Sequence, residues 1–348
     1  MSLWRGAGDV TSAALSRIPL AAWQRSFPKD VIALCYHVIS NEDLAHHKLS
    51  AYKSQNGFSA DVAFAKDYAV TYEELAASRL RGKRLPPNRF LFTFDDGYAE
   101  CFDVIRPVLL QHGVSGAFFV VTEFLDDRRP FVETSLSLCV DAVERMDAGR
   151  AQEIAAKVEA LPRTRAISRQ LQNMRTVATR DPVKLRILQW IIQQKESARA
   201  CDVLGVDAEA YARGRRIFLQ REQVRQMVAE GFTIGAHGLD HRCLESVDDA
   251  EIERQIVESC AAVRDLTGQA RVPFAFPYIG LAVNRSTLAG IRARHPFVEL
   301  FFDSGLLRRD HAFIVNRVFA DAPAPNAKSN LPSIVCNAWS RPSAWLPS

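Results

Sequence analysis

The chain lacks long apolar runs, paired-cysteine motifs and a strong charge of either sign. Hydrophobic residues make up 48% of its 348 positions, yet no apolar stretch approaches the roughly 18 residues of a membrane-spanning helix. The stretch from Ala13 to Trp23 is broken by Ser16-Arg17 and Pro19 and leads to no small-residue cleavage site, so it does not read as a signal peptide. Residues 1–30 read as a helical extension. Peripheral contact of residues 10–27 with a membrane surface is the alternative to a helix packed against the rest of the chain. The seven cysteines, Cys35, Cys101, Cys139, Cys201, Cys243, Cys260 and Cys336, are scattered and odd in number, with no Cys-x-x-Cys spacing. They read as reduced core thiols and favour the cytoplasm, with the inner membrane face as an option, over a secreted disulfide framework. A net charge of +4 is too small to argue for nucleic acid.

The charge is also uneven. Residues 135–216 hold 15 Lys/Arg against 10 Asp/Glu, which leaves the remainder slightly acidic. This segment is rich in Ala, Gln, Arg and Leu at helical spacing and contains no convincing strand. Pro162 and Pro182 divide it into about three helices. It reads as a helical insertion in a loop, either a packing subdomain or a basic lid over an anionic, phosphate- or lipid-linked substrate.

Elsewhere strands and helices alternate. Val31-Ile-Ala-Leu-Cys35-Tyr36-His37 is an apolar run ending in polar groups, and Val70-Thr-Tyr72 resembles a short strand entering a helix. Phe90-Leu-Phe-Thr-Phe94 runs straight into Asp95-Asp96-Gly97. Such runs read as buried strands, and Gly97 suits a sharp turn. A helix over residues 99–112, with Pro107 as a kink or second start, leads to the strand 115–121. Strand, helix and strand within about thirty residues make a βαβ unit with parallel strands. Past the insertion, strands end at His237 and Pro277-Tyr278, a long helix follows Val247, and late strands begin near Glu299 and Phe313. Residues 321–348 read as a tail.

Three strand ends therefore present Asp95-Asp96, then His237-Gly-Leu-Asp-His241, then Pro277-Tyr278. In parallel barrels the C-terminal strand ends converge on the active site. Two imidazoles and a carboxylate suffice to hold a divalent cation with coordination positions left open. The second carboxylate can then serve as a base. A lone histidine such as His37 reads as a satisfied structural group.

These stretches, with Tyr36-His37 after the first strand, resemble the NodB-homology polysaccharide deacetylases, carbohydrate esterase family four. The resemblance covers about residues 31–134 and 217–320. It implies an α/β fold, a distorted (β/α) barrel of about seven strands. It also implies one divalent metal, zinc first with Co, Ni, Mn or Fe as alternatives, and removal of an N-acetyl group from an amino sugar of a glycan or glycolipid. Carried over by residue, Asp96, His237 and His241 would bind the metal. Asp95 would take a proton from the activated water, and the Tyr278 N–H would stabilise the oxyanion. Tyr36, His37 and Pro277 would meet the substrate. The family's arginine shortly before Pro-Tyr is absent: Ala275 stands two before Pro277 and Arg271 six before. Arg317 would supply that cation from a later strand. Tyr278-Ile279-Gly280 replaces the family's Tyr-Gly. No late Leu-x-x-x-His block supplies a general acid, and the candidates His295 and His311 are expected at the surface. Hydrolysis of a ureide or cyclic imide, or a catalytically silent glycan-binding scaffold, stay as alternatives.

Overall fold

The structure is a computed structural model that describes residues 31–127, 131–158, 165–194, 196–304, 307–308, 310–323 and 329–339. The expected N-terminal extension lies outside them. Residues 31–39, 53–125 and 218 onward form one compact unit, and residues 40–52 with 126–217 form a second. Among the described residues no helix is long and apolar enough to cross a membrane.

The first unit is a closed barrel of seven parallel strands. They are β1 (Val31–Tyr36), β2 (Arg89–Phe94), β3 (Gly116–Val120), β4 (Thr233–Ala236), β5 (Val272–Ala275), β6 (Val298–Asp303) and β7 (Ile314–Phe319). β1 pairs with β2 from Val31↔Arg89 to Tyr36↔Phe94, and Cys35↔Phe319 helps close β1 on β7. Both faces of the sheet are covered, which is why the strands read as continuous apolar runs. Ile32, Leu34, Phe90, Phe92, Phe94 and Phe118 pack outward against helices, while Ala33, Leu91, Ala117, Phe119, Phe302 and Val315 fill the interior. Phe119 occupies the axis beside Gly235, where an added Cβ would collide with its ring.

The helices in chain order are α1 (Gln55–Ala65), α2 (Tyr72–Arg81), α3 (Arg106–Gln111), α4 (Val132–Arg145), α5 (Ala148–Lys157), α6 (Arg165–Asn173), α7 (Pro182–Ile191), α8 (Ala198–Leu204), α9 (Ala208–Gly214), α10 (Arg221–Ala229), α11 (Asp249–Thr267), α12 (Arg285–Arg294) and α13 (Leu331–Trp339). The expected strand at Val70–Tyr72 is absent. Thr71 instead caps α2 in a reciprocal capping box with Glu74, and Tyr72, Leu75 and Ala76 join the interior cluster at the end opposite the strand C-termini. Residues 101–105 form a π-helical turn before α3, with Pro107 at the start of the α-helix. The part of the expected tail that is described includes α13, whose Leu331 and Val335 enter the outer core.

The second unit has its own core, with Cys139, Val140, Ile154, Ile187, Leu188 and Trp190 among its buried residues. Among the described residues six helices, α4 to α9, build it where the two prolines suggested three. Asp147, Asp181 and Asp207 cap α5, α7 and α9 by accepting from backbone N–H groups.

Candidate active site

The ladder runs on past the strand ends and fixes the residues that follow. The Asp95 N–H donates to the Tyr36 carbonyl, the His237 N–H to Val120, and the Phe276 N–H to Phe302, at 2.9, 2.9 and 3.0 Å. Beyond this point the backbone turns sharply. Asp96, His241 and Tyr278 all have φ between +60° and +70°, and Gly97 follows at +74°. Side chains other than glycine are costly there, and such strain gathers at functional sites.

These turns bring Asp96, His237 and His241 together. One ligand atom from each lies within 4.8 Å of the others. The Nε2 atoms of His237 and His241 stand 3.4 and 3.2 Å from Asp96 Oδ1. His237 Nδ1 lies 2.9 Å from the Ala275 carbonyl. Donation to that carbonyl leaves Nε2 as the acceptor, the orientation usual for a metal-binding imidazole. Asp96 Oδ1 is buried without a hydrogen-bond partner. An orphaned buried carboxylate oxygen facing two imidazole nitrogens fits a divalent cation well, since buried charge needs such neutralisation. Burial alone would raise the Asp96 pKa, yet His237 and His241 hold it well below the usual carboxylate range.

Asp95 points into the barrel. Arg317 on β7 is fully buried and grips it with two bonds, Nη1 to Oδ1 at 2.6 Å and Nη2 to Oδ2 at 2.7 Å. Arg317 also donates to Thr93 Oγ1 at 3.2 Å and Ser304 Oγ at 2.9 Å, and lies over the Phe119 and Phe302 rings. Cys35 Sγ donates to Asp95 Oδ2 at 3.4 Å, its thiol kept neutral by burial. Burial would raise Asp95 as well, but the Arg317 charge, with His237 adding to it, keeps it below the usual range. Arg317 thus contacts Asp95 directly, whereas Arg271 pairs with Glu299 near the start of β6.

His37 is not isolated. Its Nδ1 lies 2.7 Å from Asp321 Oδ2 and its backbone N–H donates to Oδ1 at 2.9 Å. Burial would lower its pKa, but the Asp321 carboxylate raises it to about 10. A ring nitrogen of His37, the Cys35 Sγ and an Asp95 oxygen lie within 4.8 Å of one another. Tyr36 points away from this cluster. It is fully buried on the outer face of β1, stacked on Phe92 and Phe94, with its hydroxyl on Asp61. Pro277 is buried too, packed near Gly238 of the histidine turn, and so shapes that turn from beneath. Tyr278 is half exposed, with its ring 4.8 Å from that of His241. His295 caps the end of α12 beside Glu253, and His311 is exposed before β7, so both sit at the opposite end of the barrel from this cluster.

Several contributors have no local signature. Asp321, Ser304 and Cys35 touch the cluster from three strand ends. Gln255, fully buried on α11, accepts from the Leu239 N–H at 2.9 Å and donates to Asp240 at 3.0 Å, which fixes the histidine turn. A glutamine on the apolar side of an amphipathic helix was the readable clue.

The sequence model of the family described as polysaccharide deacetylase matches residues 193–293. That stretch holds His237, His241, Pro277 and Tyr278 and stops short of Arg317. Among solved structures, the Streptococcus pyogenes deacetylase PplD, in complex with acetate, is 14% identical. The match covers 90% of this chain and 100% of that one, with a TM-score of 0.54. A de-N-acetylase from Aggregatibacter actinomycetemcomitans is also 14% identical, over 88% of this chain and 98% of that one, with a TM-score of 0.50. At such identities the likeness is one of fold. The segment matched by the family model and the barrel shared with these structures agree with the family that the strand-end motifs resemble.

Proposed function

We propose that the protein is a metal-dependent N-deacetylase that hydrolyses the acetamide of an amino sugar in a polysaccharide, oligosaccharide or glycolipid. The observation that carries this reading is the meeting of Asp96, His237 and His241 beside an Asp95 held by Arg317. Asp96, His237 and His241 would hold the cation. A divalent ion in such a set supplies Lewis acidity and can bring the pKa of water down to about 7.

The remaining roles fall to the chain's own groups. Asp95 takes the proton of the attacking water, and Arg317 keeps it ionised and aimed. The Tyr278 N–H faces the oxygen that becomes negative, where oriented donors contribute most to rate. His37, charged through its pairing with Asp321, gives a proton to the departing amine. Water and amide thereby become acetate and a free amino sugar.

Acetate release from a panel of N-acetylated mono- and oligosaccharides, free and lipid-linked, tests the activity. Turnover should require a divalent metal and stop on chelation. His237→Ala and His241→Ala should each lose stoichiometric metal by elemental analysis. Full metal content in both variants would overturn the site.

A further inference from the structure

The two halves of the cluster meet at the end of β6. Asp303 is its last residue and is fully buried. Its Oδ1 accepts from the Gly280 N–H and from the Ser304 N–H, each at 2.8 Å. Its Oδ2 faces Arg308 at 2.6 Å and Arg285 at 3.3 Å. Arg285 reaches back to the same turn, donating to the Gly280 carbonyl at 2.7 Å and the Val283 carbonyl at 3.0 Å. Asp310 closes the network by pairing with both arginines. Gly280 is therefore held at both its N–H and its C=O. The Gly280 backbone also lies close against the Phe276 ring, where an added Cβ would collide. The next residue, Ser304, places its hydroxyl on Arg317 Nη2 at 2.9 Å.

We propose that Asp303 and Ser304 are positioning residues that set the reaction geometry from two sides, Asp303 by clamping the Pro277–Gly280 turn and Ser304 by seating the guanidinium that aims Asp95. The proposal rests on the deacetylase reading for what the turn and Asp95 do, but the clamp itself is a property of the fold. Four buried or half-buried charges around one short turn are expensive unless mutually paired. They hold Tyr278 in a left-handed conformation that a loosely tethered tyrosine would leave.

The test uses the full chain with Asp303→Ala, Asp303→Asn, Ser304→Ala and Arg285→Gln. Hydrogen exchange over residues 276–283 reads the clamp without any substrate. It should speed up most in Asp303→Ala and Arg285→Gln. Asp303→Asn keeps an acceptor for Gly280 but loses the charge, and should fall between. Per metal-loaded molecule, Asp303→Ala should lower kcat by about tenfold or more, with KM within about twofold, since the turn acts on the transition state. Ser304→Ala should lower kcat with unchanged exchange at 276–283. Unchanged exchange in Asp303→Ala would overturn the clamp, and faster exchange with intact kcat would overturn its part in geometry. Should Asp303→Ala fail to fold, Arg285→Gln decides by the same two readouts. A wild-type protein that releases no acetate from any sugar would sink the deacetylase reading while exchange still decides the clamp.

Discussion

The barrel and the helical unit bury charge in opposite ways. In the barrel, Asp95, Asp96, Asp303, Arg317, Lys53 and Asp61 are all nearly or fully buried. In the helical unit the core is apolar, and three aspartates, Asp147, Asp181 and Asp207, cap helices. Lys48 is the exception, buried against Asp43, Asp141 and Glu144. The backbone differs as well. Asp96, His241 and Tyr278 strain the mouth of the barrel, whereas the positive-φ residues other than glycine among the described residues of the helical unit are two aspartates, Asp126 and Asp127, a residue type that tolerates that region. A wide barrel core can sustain costly features at one end. The helical unit is assembled from inexpensive caps and apolar contacts.

This contrast can be broken by experiment. Asp95→Asn should show the largest effect, a fall in kcat of about 10²–10⁴-fold with metal content retained. Loss of metal in that variant would merge the two carboxylates into one role. Arg317→Met should come next. It strands Asp95 without its partner and should cost about 3–5 kcal/mol by urea denaturation. Adding Asp95→Asn to it should restore part of that stability and none of the activity. In the helical unit, Leu188→Ala should cost about 2–5 kcal/mol from cavity formation, with full metal in the folded protein. Metal loss there would mean that the two units do not divide the work as described.

The sharpest contrast lies in two histidines. His37 is raised to about 10 by Asp321, against the effect of its burial. Between pH 6.5 and 10 the folded state binds a proton that the unfolded state does not, so its contribution is lost as pH rises through that window. His46 in the helical unit is lowered to about 3, first by burial and then by His47 and Arg215. There the unfolded state binds the extra proton, and stability is lost as pH falls from 6.5 toward 3. Denaturation midpoints of His37→Gln and His46→Gln should therefore differ from wild type in pH dependence on opposite sides of neutrality. Two curves that flatten on the same side would refute the contrast.

Much of the barrel was legible because its strands are covered on both faces. Phe90 to Phe94 can be apolar at every position but Thr93, and a strand end tolerates Asp95-Asp96. Arg317 was singled out only through the family resemblance, which implies a cation that position 275 does not supply. His37 read as a bland structural residue because its partner, Asp321, is 284 positions away and follows a different strand. Asp303 and Ser304 were silent for the same reason. Their meaning lies in neighbours that only barrel closure supplies. The helix count of the insertion was partly recoverable, because Asp147, Asp181 and Asp207 each precede an apolar-periodic segment as capping residues do. Prolines alone undercounted those boundaries.

Phe119 stoppers the barrel. It sits beside Gly235 in an interior lined by Phe302 and Val315, with the Arg317 guanidinium over its ring. Such an interior is a packed column and not a conduit. The two ends of the barrel are thereby sealed from each other, and whatever reaches the strand C-termini arrives from that end and not through the interior.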